Sequence, residues 1–112
     1  MARPAERATS PYARDAAKLL GQLIRRARIE KKLTVGGLAE RAGVSRGLIQ
    51  RIERGDTGCA IGAVFEAATI VGVRLFDAER ANLTGMLEAS ASTLTLLPKA
   101  VRRSGAKVKD DF

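Results

Sequence analysis

Histidine and tryptophan are absent from this chain of 112 residues, and cysteine occurs once, as Cys59. Without histidine the chain lacks the commonest general base and metal ligand, and one cysteine can form neither an intrachain disulfide nor a zinc site. Aromatic residues make up only 4% of the chain, which argues against a base-stacking platform for single strands. These absences predict a protein that is not an enzyme and that needs no metal and no cofactor.

Long apolar runs are missing as well. No segment approaches the roughly 18 apolar residues of a membrane span, and the N-terminus lacks the apolar core of a secretion signal. We therefore expect a cytoplasmic protein. An apolar fraction of 46% is sufficient for one packed helical domain, with Leu, Ile, Val and Ala supplying most of its core.

The net charge of +8 is unevenly distributed. Residues 1–58 contain 13 Lys or Arg against 6 Asp or Glu, residues 59–97 contain 2 against 4, and residues 98–112 contain 5 against 2. This pattern is expected if one end of the molecule binds a polyanion and the middle binds protein. A generally basic, soluble surface is the simpler alternative.

The stretch TVGGLAERAGVSRGLIQRIERG, residues 34–55, predicts two short helices joined by a tight turn. Thr34 and Ser45 can cap the two helices through their hydroxyl groups. Gly43 and Gly55 can supply the left-handed residues that end them. The motif is therefore a helical hairpin with its own start and stop signals.

The outward face of the second predicted helix consists of Arg46, Gly47, Gln50, Arg51 and Arg54. Its arginines and its glutamine are long enough to reach base edges and phosphates, and Gly47 allows close approach to a thymine methyl group or to the backbone. A carboxamide such as Gln50 can make two hydrogen bonds to adenine, and Arg46 or Arg51 can do the same for guanine. These five residues, together with the caps Thr34 and Ser45, are the candidate DNA-binding residues.

The spacing of LAERAGVSRGLIQRIERG resembles the helix-turn-helix of the lambda-repressor/Cro (Xre) family, specifically over residues 19–58. The resemblance implies an all-α, five-helix lambda-repressor-like DNA-binding domain whose third helix enters the major groove of double-stranded DNA. One such domain reads too few base pairs to specify a unique site in a genome. We therefore expect a homodimer that binds a palindromic operator. Family members often have a phosphate-binding glutamine where this chain has Val35.

The same resemblance implies a structural bridge between the first helix and the end of the third. Glu53 is the acidic partner, and either Arg25 or Arg28 is the basic one. We therefore interpret Glu53 as a bracing residue rather than a catalytic one.

Four segments are expected along the chain. They are a disordered N-terminal arm at 1–10, a helix-turn-helix domain at 11–76, an additional C-terminal helix at 77–97 and a flexible basic tail at 98–112. Within the domain, the first helix should begin after Ser10 and run to about Lys32. The fourth should run from Thr57 to Gly72 and place Phe65 at the centre of the core.

Residues 73–76 alternate in a strand-like pattern, and two interpretations of them stay open. Val73, Leu75 and Phe76 could form a short β-strand that pairs with its own copy across a dimer axis. Alternatively, the segment is a plain loop that packs Leu75 and Phe76 onto the core.

Three downstream runs, FEAATIVGVRLFDAER, LTLLPKAVR and KVKDDF, resemble HipB-like antitoxins of the Xre family. This likeness implies a homodimer that represses its own operon and holds a HipA-type kinase toxin inactive. Phe112 is the candidate toxin contact. A stand-alone Xre regulator without a toxin partner and a non-specific nucleoid-coating protein are the alternatives.

Overall fold

The computed structural model describes residues 9–101, which form five α-helices and no sheet. The helices are α1 (Pro11–Glu30), α2 (Val35–Ala42), α3 (Arg46–Arg54), α4 (Ile61–Val71) and α5 (Arg80–Thr95). The described chain divides into two units, one with α1 to α4 up to residue 77 and one with α5. The predicted all-α fold is confirmed. No helix within residues 9–101 is long and apolar enough to cross a membrane.

Local start and stop signals set most of the helix boundaries. The Ser10 hydroxyl accepts the N–H of Ala13 at 3.2 Å, and Pro11 follows in the first turn, where its missing N–H costs nothing. At the other end of α1, Lys31 is the C-cap and Lys32 has a positive φ of 57°, so the helix ends slightly earlier than predicted. Gly72 ends α4 in the left-handed conformation, as predicted.

The start of α4 differs from the prediction. The Asp56 carboxylate accepts the N–H of Gly58 at 2.7 Å, which holds this segment in a turn. The helix therefore begins at Ile61 rather than near Thr57, and its N-cap, Ala60, offers no side-chain hydrogen bond.

The core of the first unit lies where α1 and α2 each pack against α3 and α4. Its buried residues are Ile24, Leu38, Ala39, Ile49, Ile52, Ala67, Ala68 and Val71. Phe65, predicted at the centre, is only half-buried, because the alanines and Val71 define the buried face of α4 and Phe65 lies beside it. Its ring meets Phe76 edge to face, with 6.3 Å between centroids.

Helix α1 approaches the end of α3 closely at Gly21, which is buried. A Cβ at this position would overlap the carbonyl oxygen of Ile52 and lie 2.9 Å from that of Glu53. The two helices can therefore meet in this way only because residue 21 has no side chain.

An ion pair between Arg28 and Glu53 joins the same two helices. Two bonds connect the side chains, Nε to Oε2 at 2.7 Å and Nη2 to Oε1 at 3.0 Å. Arg28 also donates from Nη1 to the carbonyl oxygen of Leu33 at 2.9 Å, in the turn between α1 and α2. The side chains of the pair are 11% and 7% exposed, so both are largely shielded from water. The bond to Glu53 raises the pKa of Arg28.

Of the two arginines expected to brace Glu53, the structure therefore uses Arg28. Arg25 is exposed, because it lies on the solvent side of α1.

Replacing Arg28 with methionine should lower the free energy of unfolding by about 2 to 4 kcal/mol, because it leaves the Glu53 carboxylate shielded without its partner. Arg25→Met is the matched control and should change stability by no more than about 0.5 kcal/mol. Urea titrations followed by circular dichroism measure both. Equal stability of the two variants would contradict the assigned role of Arg28.

Candidate nucleic-acid interface

Helices α2 and α3 form a hairpin whose two ends are capped by hydroxyl groups. The Thr34 hydroxyl accepts the N–H of Gly37 at 2.9 Å, and the Ser45 hydroxyl accepts the N–H of Leu48 at 3.0 Å. Both candidate residues thus act as N-caps, which satisfies one otherwise unbonded amide in each helix.

Two glycines end the hairpin helices as predicted. Gly43 and Gly55 adopt left-handed φ values of 71° and 83°. A Cβ on Gly55 would lie 2.7 Å from the Cα of Lys18, so α1 also passes directly beside the end of α3. This places the Lys18 backbone close to the last turn of α3.

Helix α3 has one buried face and one exposed face. Ile49 and Ile52 are buried in the core, and Leu48 is half-buried. The opposite face is exposed throughout and consists of the predicted residues Arg46, Gly47, Gln50, Arg51 and Arg54. The helix is therefore held by its apolar side and presents its basic side to solvent.

Arg46 lies beside the start of α2. A Cβ built on Gly36 would be 3.5 Å from the Arg46 Nε and 3.8 Å from its Cδ. The Arg46 guanidinium group thus comes close to the N-terminus of α2. At a helix N-terminus, free amide N–H groups and the helix dipole favour binding of an anion. No local sequence signal marks this contact, because Gly36 and Arg46 are ten residues apart and on different helices.

The side chain of Gln50 makes no hydrogen bond within residues 9–101. Its carboxamide is exposed on the outer face of α3 and can therefore bind an external group without first breaking an internal bond. Gly47, one turn earlier, leaves open space around it: the nearest atom to a Cβ built there would be the Ser45 hydroxyl at 3.9 Å.

Arg51 differs from its neighbours because it is already bonded. Its Nε lies 2.9 Å from the Asp56 Oδ2, and about two fifths of each side chain is exposed. The hydrogen bond from the Gly58 amide and the one from the Arg51 guanidinium together lower the pKa of Asp56. The hydrogen bond to the Asp56 carboxylate in turn raises the pKa of Arg51. The sequence placed Arg51 among the base readers, but its guanidinium is held toward the turn after α3.

Val35, where the family pattern expects a phosphate-binding glutamine, is half-buried and packs against the core. Its side chain therefore offers no donor to a phosphate. Cys59 is also half-buried at the edge of the core, and burial raises the pKa of its thiol. Both residues contribute to packing.

The candidate dimerisation residues lie just after α4. Val73 and Leu75 are half-buried against the core, and Phe76 is 70% exposed. Phe76 and Asp77 have positive φ values of 56° and 52°, so the segment turns sharply and no regular strand forms here in the described chain. A pairing of this segment across a dimer stays a prediction. Phe112 lies outside the described residues.

The helix-turn-helix domain family matches residues 19–83, which is more than half of the chain. The match begins within α1, contains all of α2, α3 and α4, and ends within α5. Comparison with curated proteins gives no match. Because the family match and the capped α2–α3 hairpin coincide, the chain belongs to the helix-turn-helix domain family, of the Xre/Cro-like type, and this membership indicates a DNA-binding regulator.

Proposed function

We propose that this protein is a sequence-specific transcriptional repressor that reads double-stranded DNA with the outer face of α3. The observation that carries the proposal is a short helix anchored by Ile49 and Ile52 whose opposite face exposes three arginines and a glutamine. A helix held by its apolar side and basic on the other fits the major groove, which is wide enough to admit one α-helix.

In this arrangement the N-terminal half of α3 meets the base edges and α2 crosses the phosphate backbone. Gln50 is the reader of adenine and Arg46 the reader of guanine or the contact to a nearby phosphate. Gly47 allows close approach to a thymine methyl group. The position of Arg46 beside Gly36 supports a phosphate contact at the start of α2, where Val35 offers none.

A single domain of this kind reads too few base pairs for a unique genomic site, so we propose that it acts as a homodimer on a palindromic operator. Two half-sites about 34 Å apart would each receive one α3 helix. Val73, Leu75 and Phe76 are the sequence-based candidates for the dimer contact.

We further propose that the protein is a cytoplasmic HipB-like antitoxin that represses its own operon and neutralises a HipA-type kinase toxin. It acts by binding and performs no catalysis. The support is the likeness of three runs around α4, α5 and the C-terminal tail to that branch of the family. A stand-alone Xre regulator would share the same α1 to α4 and would need no partner.

Gln50→Ala and Arg46→Ala should each weaken binding to the duplex upstream of the protein's own gene by about 1 to 3 kcal/mol, because each removes a contact to the DNA. Arg26→Ala is the charge-matched control: Arg26 lies on the exposed side of α1, 3.5 Å from Glu30, and its loss should leave affinity nearly unchanged. Fluorescence anisotropy titrations at one fixed salt concentration measure all three. Two α3 variants that bind like the wild type would overturn the assignment.

Asp56→Asn should release Arg51 and make DNA binding more dependent on salt. A freed guanidinium can contact one more phosphate, which steepens the slope of log K against log salt by about 0.9. Asp77→Asn is the control, since it removes the same charge from an exposed residue that lies 3.6 Å from Arg74. Anisotropy titrations at several salt concentrations give the slopes, and identical slopes for both variants would show that Asp56 does not restrain Arg51.

Deleting residues 98–112 should impair capture of the kinase encoded beside this gene while leaving operator binding intact. Co-purification from the native host and a footprint on the upstream region report the two activities separately. Equal recovery of the kinase by both forms would remove the tail from the interaction. Recovery by neither form would favour the stand-alone regulator.

A further inference from the structure

The first half of α1, the end of α3 and the start of α4 border a cavity of about 920 Å³. All of its lining residues belong to the unit that contains α1 to α4. Residues four apart lie on one face of a helix, and the lining positions at this spacing on and just before α1 are all small. They are Thr9, Ala13, Ala17 and Gly21. The volume lies within the range of roughly 300 to 1,000 Å³ that is typical of small-molecule sites.

The walls of the cavity are mostly apolar. Ile52 is buried. Leu20, Val64 and Phe65 are half-buried. Ile61, at the start of α4, is 68% exposed although it also lines the cavity. An apolar molecule bound here would cover these side chains, and removing apolar surface from water favours binding.

The charged groups at the cavity leave an excess of positive charge. Arg51 and Asp56 both line it and are bonded to each other. Arg54 also acts electrostatically on Asp56 and on Cys59, another lining residue. Because two arginines stand against one carboxylate, the local field favours an anionic ligand.

Arg51 can hold such an anion without leaving Asp56. Only its Nε donates to Asp56, and its Nη1 and Nη2 donate no hydrogen bond within residues 9–101. Nη2 lies at the cavity, since a Cβ built on the lining residue Gly58 would be 3.8 Å from it. The terminal nitrogens of a guanidinium present two parallel N–H groups, which match the two oxygens of a carboxylate.

We propose that this cavity binds a small hydrophobic carboxylate, which places its carboxylate on Nη1 and Nη2 of Arg51 and its apolar body against Leu20, Val64 and Phe65. An inorganic anion would leave the apolar walls uncovered. An uncharged apolar molecule would leave the donors of Arg51 unused.

The bound ligand would also act on DNA binding. Arg51 lies on the exposed face of α3, so a carboxylate held there adds a negative charge beside the surface that meets phosphates. The ligand should therefore lower the affinity for DNA. This regulatory step rests on the proposed function, whereas binding of the ligand does not.

Titration of the full-length chain with octanoate tests the site, with backbone amide chemical shifts as the readout. Octanoate should give saturable shifts at residues 13–21 and 57–65. 1-Octanol has no charge for Arg51 and should bind about ten-fold more weakly, and acetate has no apolar body and should give no saturable shift. Equal affinity for octanoate and 1-octanol, or shifts that avoid the cavity, would overturn the proposal.

Two phenylalanine variants on α1 form a matched pair. Ala13 and Ala16 are both exposed, but of the two only Ala13 lines the cavity. Ala13→Phe should weaken octanoate binding by about ten-fold, because the ring occupies space that the ligand needs. Ala16→Phe should leave it unchanged. Equal effects of the two variants would contradict the assigned site.

Arg51→Gln tests the carboxylate contact itself. This variant should bind octanoate only as tightly as 1-octanol, while its affinity for 1-octanol stays that of the wild type. A general loss of structure would weaken both ligands together. Octanoate binding at the wild-type level would rule out Arg51 as the anion contact and overturn the proposal.

Residues 1–8 are the alternative occupant, because they directly precede Thr9 at the cavity. A chain without them should bind octanoate like the full-length chain. Binding by the shortened chain alone would assign the cavity to residues 1–8 and refute the proposed ligand.

The regulatory step is measured separately, by fluorescence anisotropy with the duplex upstream of the protein's own gene. Saturating octanoate should weaken DNA binding by about three-fold, and Arg51→Gln should remove this effect. DNA affinity that octanoate leaves unchanged would overturn the regulatory step. A chain that binds no DNA even without octanoate would contradict the proposed function instead, and the chemical-shift titration would still decide on the cavity.

Discussion

The contact between the second half of α1 and the end of α3 fixes the position of the recognition helix. Arg28 reaches from α1 to Glu53 with two hydrogen bonds and to the carbonyl of Leu33 with a third, and so ties α1, α3 and the turn before α2 together. Gly21 makes the approach possible, since any side chain there would collide with the backbone of α3. Because the pair is largely shielded from water, its attraction is weakened little by solvent, and loss of one partner leaves a costly lone charge.

Held in this way, α3 presents a face in which the polar groups are not equivalent. The Gln50 side chain has no hydrogen-bond partner in the described chain, and Arg46 extends toward the start of α2, whereas Arg51 is bonded to Asp56. Arg46 and Gln50 can therefore bind an external partner without breaking an internal bond. Arg51 must first break its bond to the Asp56 carboxylate. Because both groups are anionic, Arg51 gains little by leaving Asp56 for a DNA phosphate, and we expect it to stay on its carboxylate in the wild type.

Sequence reasoning succeeded where the controlling interactions are local. Hydroxyl caps such as Ser45 and stop signals such as Gly43 act within three or four residues, and the helix boundaries of the hairpin followed from them. It failed where structure depends on the approach of distant segments. Gly21 has no local signal that distinguishes it from a tolerated glycine, and nothing in the sequence alone favoured Arg28 over Arg25 as the partner of the bracing glutamate. The Asp56-Thr57-Gly58 segment has the residue types of a turn, which could have predicted the late start of α4. The helical spacing of the apolar residues that follow led instead to a predicted start near Thr57.

We expect the exposed face of α3, from Arg46 to Arg54, to be the surface that recognises duplex DNA. The most direct measurement is a map of backbone amide chemical shifts as the duplex from the protein's own upstream region is added. We expect the largest changes at residues 45–51 and at the start of α2, with smaller changes for a scrambled duplex of equal length. Changes that avoid α3, or that are the same for both duplexes, would contradict it.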